Sequence, residues 1–158
     1  MRDVLGVDVN GYNIYLFSRY TKEKIMSTTV MAEWVGPNQE HVGIDSKGNK
    51  IKLGGGDTSP AQMLLIGLAG CMSMDIKHVL SKKRISFDSL RVKVIGHQPD
   101  GYPKPFQVVD IVVEVTGSDV SEKSMEKAIA LSRDKYCVVG QTLQNVTTIN
   151  TSYVIKQQ

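Results

Sequence analysis

The chain has 158 residues, 19 Lys+Arg against 16 Asp+Glu for a net charge of +3 at pH 7, and 41% hydrophobic residues. That is the size of one domain around one core, with no room for a separate cofactor module. The charge balance is too near neutral for sequence-independent nucleic-acid binding, and the apolar share excludes both a disordered chain and a disulfide-stapled mini-protein.

Residues 1–25 carry Tyr12, Tyr15, Phe17 and Tyr20 without a clear period, and Met1-Arg2-Asp3 leads into polar residues without the apolar run of a secretory signal. They are set apart as an N-terminal extension, a β-hairpin exchanged onto a partner subunit being one form open to it; residues 26–158 are read as a single domain, placed in the cytoplasm. Thr28 to Trp34 has strand-like residues. Val42-Gly43-Ile44, the turn residues Asp45 to Asn49, and Lys50-Ile51-Lys52-Leu53 then predict a hairpin.

Gly54-Gly55-Gly56 delivers the chain to Ser59-Pro60-Ala61-Gln62, a capping-box signature with Ser at the N-cap, Pro at the first helical position and Gln two further on. The glycines precede a helix as a phosphate cradle would, but the Gly-Lys-Ser/Thr ending of a P-loop is missing, so a flexible lead-in is expected. The helix can run to about Lys83, some ~36 Å at 1.5 Å per residue. Its stretch from Met63 to Met72 has no charge on any face and must therefore be covered all round, which a chain of this size does not manage alone. That stretch falls short of the ~20 residues of a membrane span, so no membrane association is expected.

Leu90, Val92 and Val94 alternate with Arg91 and Lys93 as a half-buried strand. Asp100-Gly101-Tyr102-Pro103 makes a turn, and Val109, Ile111, Val113 and Val115 alternate along the return strand. Asp119 or Ser121 caps a second helix that turns Met125, Ala128 and Ile129 to the core and ends near Lys135-Tyr136-Cys137. A helical turn over Gly140 to Leu143 and a β-branched strand over Thr147 to Ile155 complete an α+β domain without internal repeats.

The chemistry-bearing residues are few. Cys71 lies in the apolar helix beside Gly67 and Gly70, which allow another helix or a substrate to approach closely; taken alone this is the setting of a buried, inert thiol. Cys137 follows Lys127, Arg133 and Lys135, and a cation next to it would lower its pKa. Cys71, Asp75 and His78 share a helical face at i, i+4 and i+7, which suggests metal ligation, yet three ligands with His78 in the solvated half argue against it. No metal and no cofactor are expected.

Ser59-Pro60-x-Gln62-Met63-Leu64-Leu65-x-Gly67-Leu68-Ala69-Gly70-Cys71, followed by Asp75 and then by Asp134-Lys135-Tyr136-Cys137, resembles the OsmC/Ohr family of osmotically induced and organic hydroperoxide resistance proteins over residues 28–157. The resemblance implies a β3-α-β2-α2-β fold and an intertwined homodimer whose long central helices pack together against the sheets. It implies a thiol peroxidase: the thiolate of Cys71 attacks an organic hydroperoxide, becomes a sulfenic acid and condenses with Cys137 to a disulfide, which a dithiol reductant reopens.

Two departures weaken that implication. The family's peroxidase branch places a Glu after the helix-opening Pro, where this chain has Ala61, and an Arg in the N-terminal sheet. Trp34 to His41 contains no Arg, and only Arg2 and Arg19 precede the helix. Gln62 falls where many OsmC-like relatives carry Glu, and His41 is the candidate replacement for the Arg, as imidazolium or general base; both are taken as binding residues. The alternative to the peroxidase is a dimeric binding or redox-sensing protein of the same fold, holding a small apolar molecule without efficient turnover.

Overall fold

A computed structural model of the chain describes residues 4–7, 13–15, 28–35 and 40–156. Arg2, Arg19 and the aromatic residues Tyr12, Phe17 and Tyr20 lie outside the described residues. Strands β1 (Val4–Val7) and β2 (Asn13–Tyr15) pair antiparallel as a two-stranded sheet. A second sheet is the meander β3 (Met31–Val35), β4 (Glu40–Ile44) and β5 (Lys50–Leu53). Its hairpin turn is built by Asp45, whose carboxylate accepts from the backbone N–H groups of Lys47 and Asn49. Gly54, Gly55 and Gly56 all have positive φ, at 71°, 60° and 105°, a conformation closed to most side chains, and they turn the chain out of β5.

Helix α1 (Pro60–Lys82) opens with the expected capping box: Gln62 N–H donates to Ser59 Oγ at 3.2 Å and Ser59 N–H donates to Gln62 Oε1 at 3.1 Å. It buries Leu68, Met72, Ile76, Val79 and Leu80 against β6 (Ser89–His97), α2 (Glu122–Leu131) and α3 (Val138–Leu143). By length and composition alone α1 is long and apolar enough to cross a membrane, a property that core helices share. The chain uses it as a core helix.

The third sheet has the order β6-β7-β8, with β7 (Val108–Thr116) central, antiparallel to β6 and parallel to β8 (Thr148–Lys156). Val109, Ile111, Val113 and Val115 are each at most 1% exposed, as their alternation predicts. The parallel return from β7 to β8 needs a long crossover, which α2, a π-helical turn over Ser132–Tyr136 and α3 provide. Ser121 rather than Asp119 caps α2. The α+β class and the element order of the main domain are those read from the sequence.

The single chain leaves its long helix partly uncovered, as its size predicts. The charge-free half of α1 is not covered all round: Leu64, Ile66 and Met74 are 41%, 55% and 74% exposed. Gly67 and Gly70 are also exposed, and a methyl group built on either would meet nothing within 4 Å.

Candidate active site

The two cysteines come together from opposite sides of the core. Cys71 stands in the middle of α1 and is half-buried, whereas Cys137 is fully buried at the N-cap of α3. Both are free thiols. Their sulfurs and a carboxylate oxygen of Asp75 all lie within 4.8 Å of one another. Asp75 reaches the pair because it is four residues beyond Cys71 on the same helical face. His78, one turn further, is exposed and stands outside this cluster.

A π turn delivers Cys137. The backbone N–H of Cys137 donates to the carbonyl of Ser132 at 2.8 Å, five residues back, so one extra residue is accommodated in the last turn of the helix. Both ends of this turn face α1. Ser132, fully buried, donates its hydroxyl to Asp75 Oδ2 at 3.0 Å, and Cys137 brings its sulfur to the cluster. Arg133, Asp134, Lys135 and Tyr136, between them, are exposed.

The expected cationic influence on Cys137 is overturned. Burial foremost, then its hydrogen bond with Cys71 and the charges of Cys71 and Asp75, push the Cys137 thiol up to about 12. The N–H of Gly140, donated to Cys137 Sγ at 3.3 Å, opposes this only in part. Arg133 spends its guanidinium on Asp134, with bonds of 2.6 and 3.1 Å. The lysines of the preceding helix point to solvent.

A cavity of about 150 Å³ adjoins Cys137. Its apolar lining is Leu68, Met72, Ile111 and Ile149, and its polar lining includes Arg133, Gln144, Thr147 and Thr148. It is smaller than the roughly 300–1,000 Å³ of drug-sized ligand pockets, so it suits only a small molecule. The two binding candidates read from the sequence are placed elsewhere. His41 is exposed on β4, paired across the sheet with Trp34 and Leu53, and is not part of the cysteine cluster. Gln62 is nine residues before Cys71, about 13 Å along the helix, and its side-chain oxygen is held in the capping box. Ala61 is exposed beside it.

Sequence reasoning missed Ser132. The position of Ser132, five residues before Cys137, carries meaning only once the π turn is known. Asp75 was visible at i+4 from Cys71, but the third member of the cluster is Cys137 rather than His78.

An α+β domain that sets two free thiols and a carboxylate between a long central helix and a short one is the architecture of a dithiol protein. The model of the OsmC-like protein family matches residues 53–152. Protein YhfA of Escherichia coli is 30% identical over 118 residues, covering 72% of this chain and 88% of that protein. A hypothetical protein from Aquifex aeolicus has a similar structure, with a TM-score of 0.77 at 25% identity, covering 85% of this chain and 99% of its own. The organic hydroperoxide resistance protein OsmC of Legionella pneumophila shares the fold at a TM-score of 0.62 and 20% identity, with 83% and 98% covered. The chain belongs to the OsmC-like family, whose structural neighbours include organic hydroperoxide resistance proteins.

Proposed function

We propose that the protein is a thiol peroxidase that reduces small organic hydroperoxides as part of a stress response. The observation that carries this reading is the pair of free sulfurs within 4.8 Å, one half-buried and one buried with its proton held. Cys71 is the attacking thiol. Its sulfur as thiolate attacks the distal peroxide oxygen, the O–O bond breaks, and the alkoxide leaves to take a proton as alcohol, so Cys71 becomes a sulfenic acid. Cys137 then attacks that sulfur, expelling water and closing the disulfide. An external dithiol supplies the two electrons that reopen it.

Cys137 cannot compete for the first step, since the thiolate is the nucleophile and its pKa lies near 12. Oxidation of Cys71 alters the hydrogen bond and charge that add to the rise in that pKa, while burial, its largest cause, stays in place. Cys137 is thereby released from part of what holds its proton once the sulfenic acid forms. Closing the disulfide brings the sulfurs to about 2.05 Å, which requires the two side chains to turn toward each other. Arg133 lines the cavity beside Cys137, with its guanidinium paired to Asp134.

The reading includes a homodimer in a reducing compartment, the cytoplasm. The exposed Leu64, Ile66 and Met74, with the open notches at Gly67 and Gly70, favour the same helix of a second copy as their cover.

The test counts free thiols in wild type, Cys71→Ser and Cys137→Ser before and after stoichiometric cumene hydroperoxide, with hydrogen peroxide in parallel. Wild type is expected to lose two thiols faster than free cysteine reacts, Cys71→Ser to lose none, and Cys137→Ser to stop at the sulfenic acid. Survival of both thiols at the rate of free cysteine overturns the reading. It would favour a binding or redox-sensing role, which Ala61 and the capped Gln62 support by leaving the helix start without a free carboxylate.

A further inference from the structure

We propose that the reduced Cys71–Asp75–Cys137 cluster binds a thiophilic divalent cation, Zn²⁺ foremost, through the two sulfurs and one Asp75 oxygen, with water in the fourth position. The three ligand atoms already lie within 4.8 Å of one another. A tetrahedral site with bonds of about 2.0–2.3 Å has edges of roughly 3.3–3.8 Å, so side-chain adjustment on the order of 1 Å closes the cluster around the ion. Two ligands stand one turn apart on a single rigid helix and the third faces them from α3, which fixes their separation before any ion arrives.

The surroundings of the ligands match this use. Ser132 donates to Asp75 Oδ2 at 3.0 Å, which fixes the carboxylate and leaves it further lone pairs to coordinate. Gly140 N–H donates to Cys137 Sγ at 3.3 Å, where it stabilises a metal-bound thiolate. Such outer partners orient first ligands and strengthen their hold on the ion. Two thiolates and one carboxylate carry −3, so the bound ion leaves −1. Binding transfers two thiol protons to solvent and involves no oxidation. Sulfur ligands select against Mg²⁺ and Ca²⁺, which take oxygen. Three protein ligands with a water in the fourth position make a labile site rather than a structural one.

The consequence is competition. A bound ion occupies the lone pairs that would attack a peroxide, and a Cys71–Cys137 disulfide removes two of three ligands. Ion occupancy and thiol oxidation thus exclude each other. Metal capture itself requires only reduced thiols and does not rest on peroxide turnover.

Reduced, chelator-treated full-length protein is titrated anaerobically with Co²⁺ and then with Zn²⁺. One Co²⁺ per chain is expected, with thiolate-to-metal charge-transfer absorption and tetrahedral ligand-field bands, both displaced by Zn²⁺. Asp75→Asn, which keeps both thiols and the side-chain shape, should weaken Zn²⁺ binding at least tenfold, and Ser132→Ala should weaken it on the order of tenfold or more. His78→Ala should bind as wild type does. Absence of the charge-transfer band in protein whose two thiols are counted as free overturns the inference, as does unchanged affinity in Asp75→Asn or loss of binding in His78→Ala. If the band appears and cumene hydroperoxide leaves the metal-free thiols untouched, the peroxidase reading falls and this one stands.

Discussion

The hydroxyl of Ser132 donates to Oδ2 of Asp75 at 3.0 Å, joining residues 57 positions apart and tying the crossover to the central helix next to both thiols. Ser132 is fully buried and Asp75 half-buried, so the bond is made largely out of water. Ser132→Ala leaves the carboxylate short of a donor where solvent replaces it poorly. The expected loss is about 1–3 kcal/mol. Urea unfolding of the reduced protein checks this, with an unchanged slope and a lower midpoint; a midpoint equal to wild type would show that the bond carries no net stability.

Cys137 makes stability depend on alkaline pH. Its folded pKa, raised from 9.0 to about 12, means that the folded chain keeps this proton after the unfolded chain has lost it. The contribution is complete below pH 9.0 and drains away as pH climbs toward about 12. Denaturant midpoints on either side of pH 9.0, measured with reductant and chelator present, should fall more steeply for wild type than for Cys137→Ser. Parallel profiles would mean that the thiol is not held protonated by the fold.

Cys71 sets part of that shift through its hydrogen bond and its charge. Cys71→Ala removes both while leaving burial, the largest cause, in place. The pH midpoint for alkylation of Cys137 by iodoacetamide is therefore expected to move down from about 12 while remaining above 9.0. A midpoint unmoved by the substitution would take away the coupling that orders the two oxidation steps.

Local chemistry made much of this arrangement readable in the sequence. Ser59, Pro60 and Gln62 state the start of α1 because a capping box is satisfied within four residues, and the alternating valines of β7 state its buried face. Cys71 and Asp75 declare a shared face by spacing alone. Cys137 does not declare its partners, since the π turn before it reflects a bond to Asp75 that no local pattern encodes. Its basic neighbours suggested a lowered pKa, but they point outward and burial dominates. His41 looked available to the site from its place in the chain, yet β-pairing with Trp34 holds it on a different sheet.

Gly117 tests the close approach at the end of β7. A Cβ there would lie 2.8 Å from Phe87 Cα and 3.1 Å from the Ser86 carbonyl oxygen, and backbone cannot swing aside as a flexible side chain can. Gly117→Ala is expected to cost on the order of 1–3 kcal/mol through overpacking. Gly101→Ala, where a Cβ meets nothing within 4 Å, is the matched control and should change little. Equal thermal midpoints for the two variants would show that the contact relaxes freely.

Gly70 separates the packing of one chain from the packing of two. Within the chain a Cβ at this exposed position meets nothing within 4 Å, so Gly70→Leu, pointing to solvent, should leave the monomer fold intact and even favour the helix, in which Gly is the weaker former by about 1 kcal/mol. If α1 of a second copy packs into the notch, the same leucine holds the helices apart and uncovers Leu64, Ile66 and Met74. Sedimentation equilibrium is then expected to show wild type as a dimer and Gly70→Leu shifted toward monomer, with far-UV circular dichroism unchanged. Dimers of equal strength in both proteins would place the interface on another face, and a monomeric wild type would leave the apolar side of α1 to a partner other than this chain.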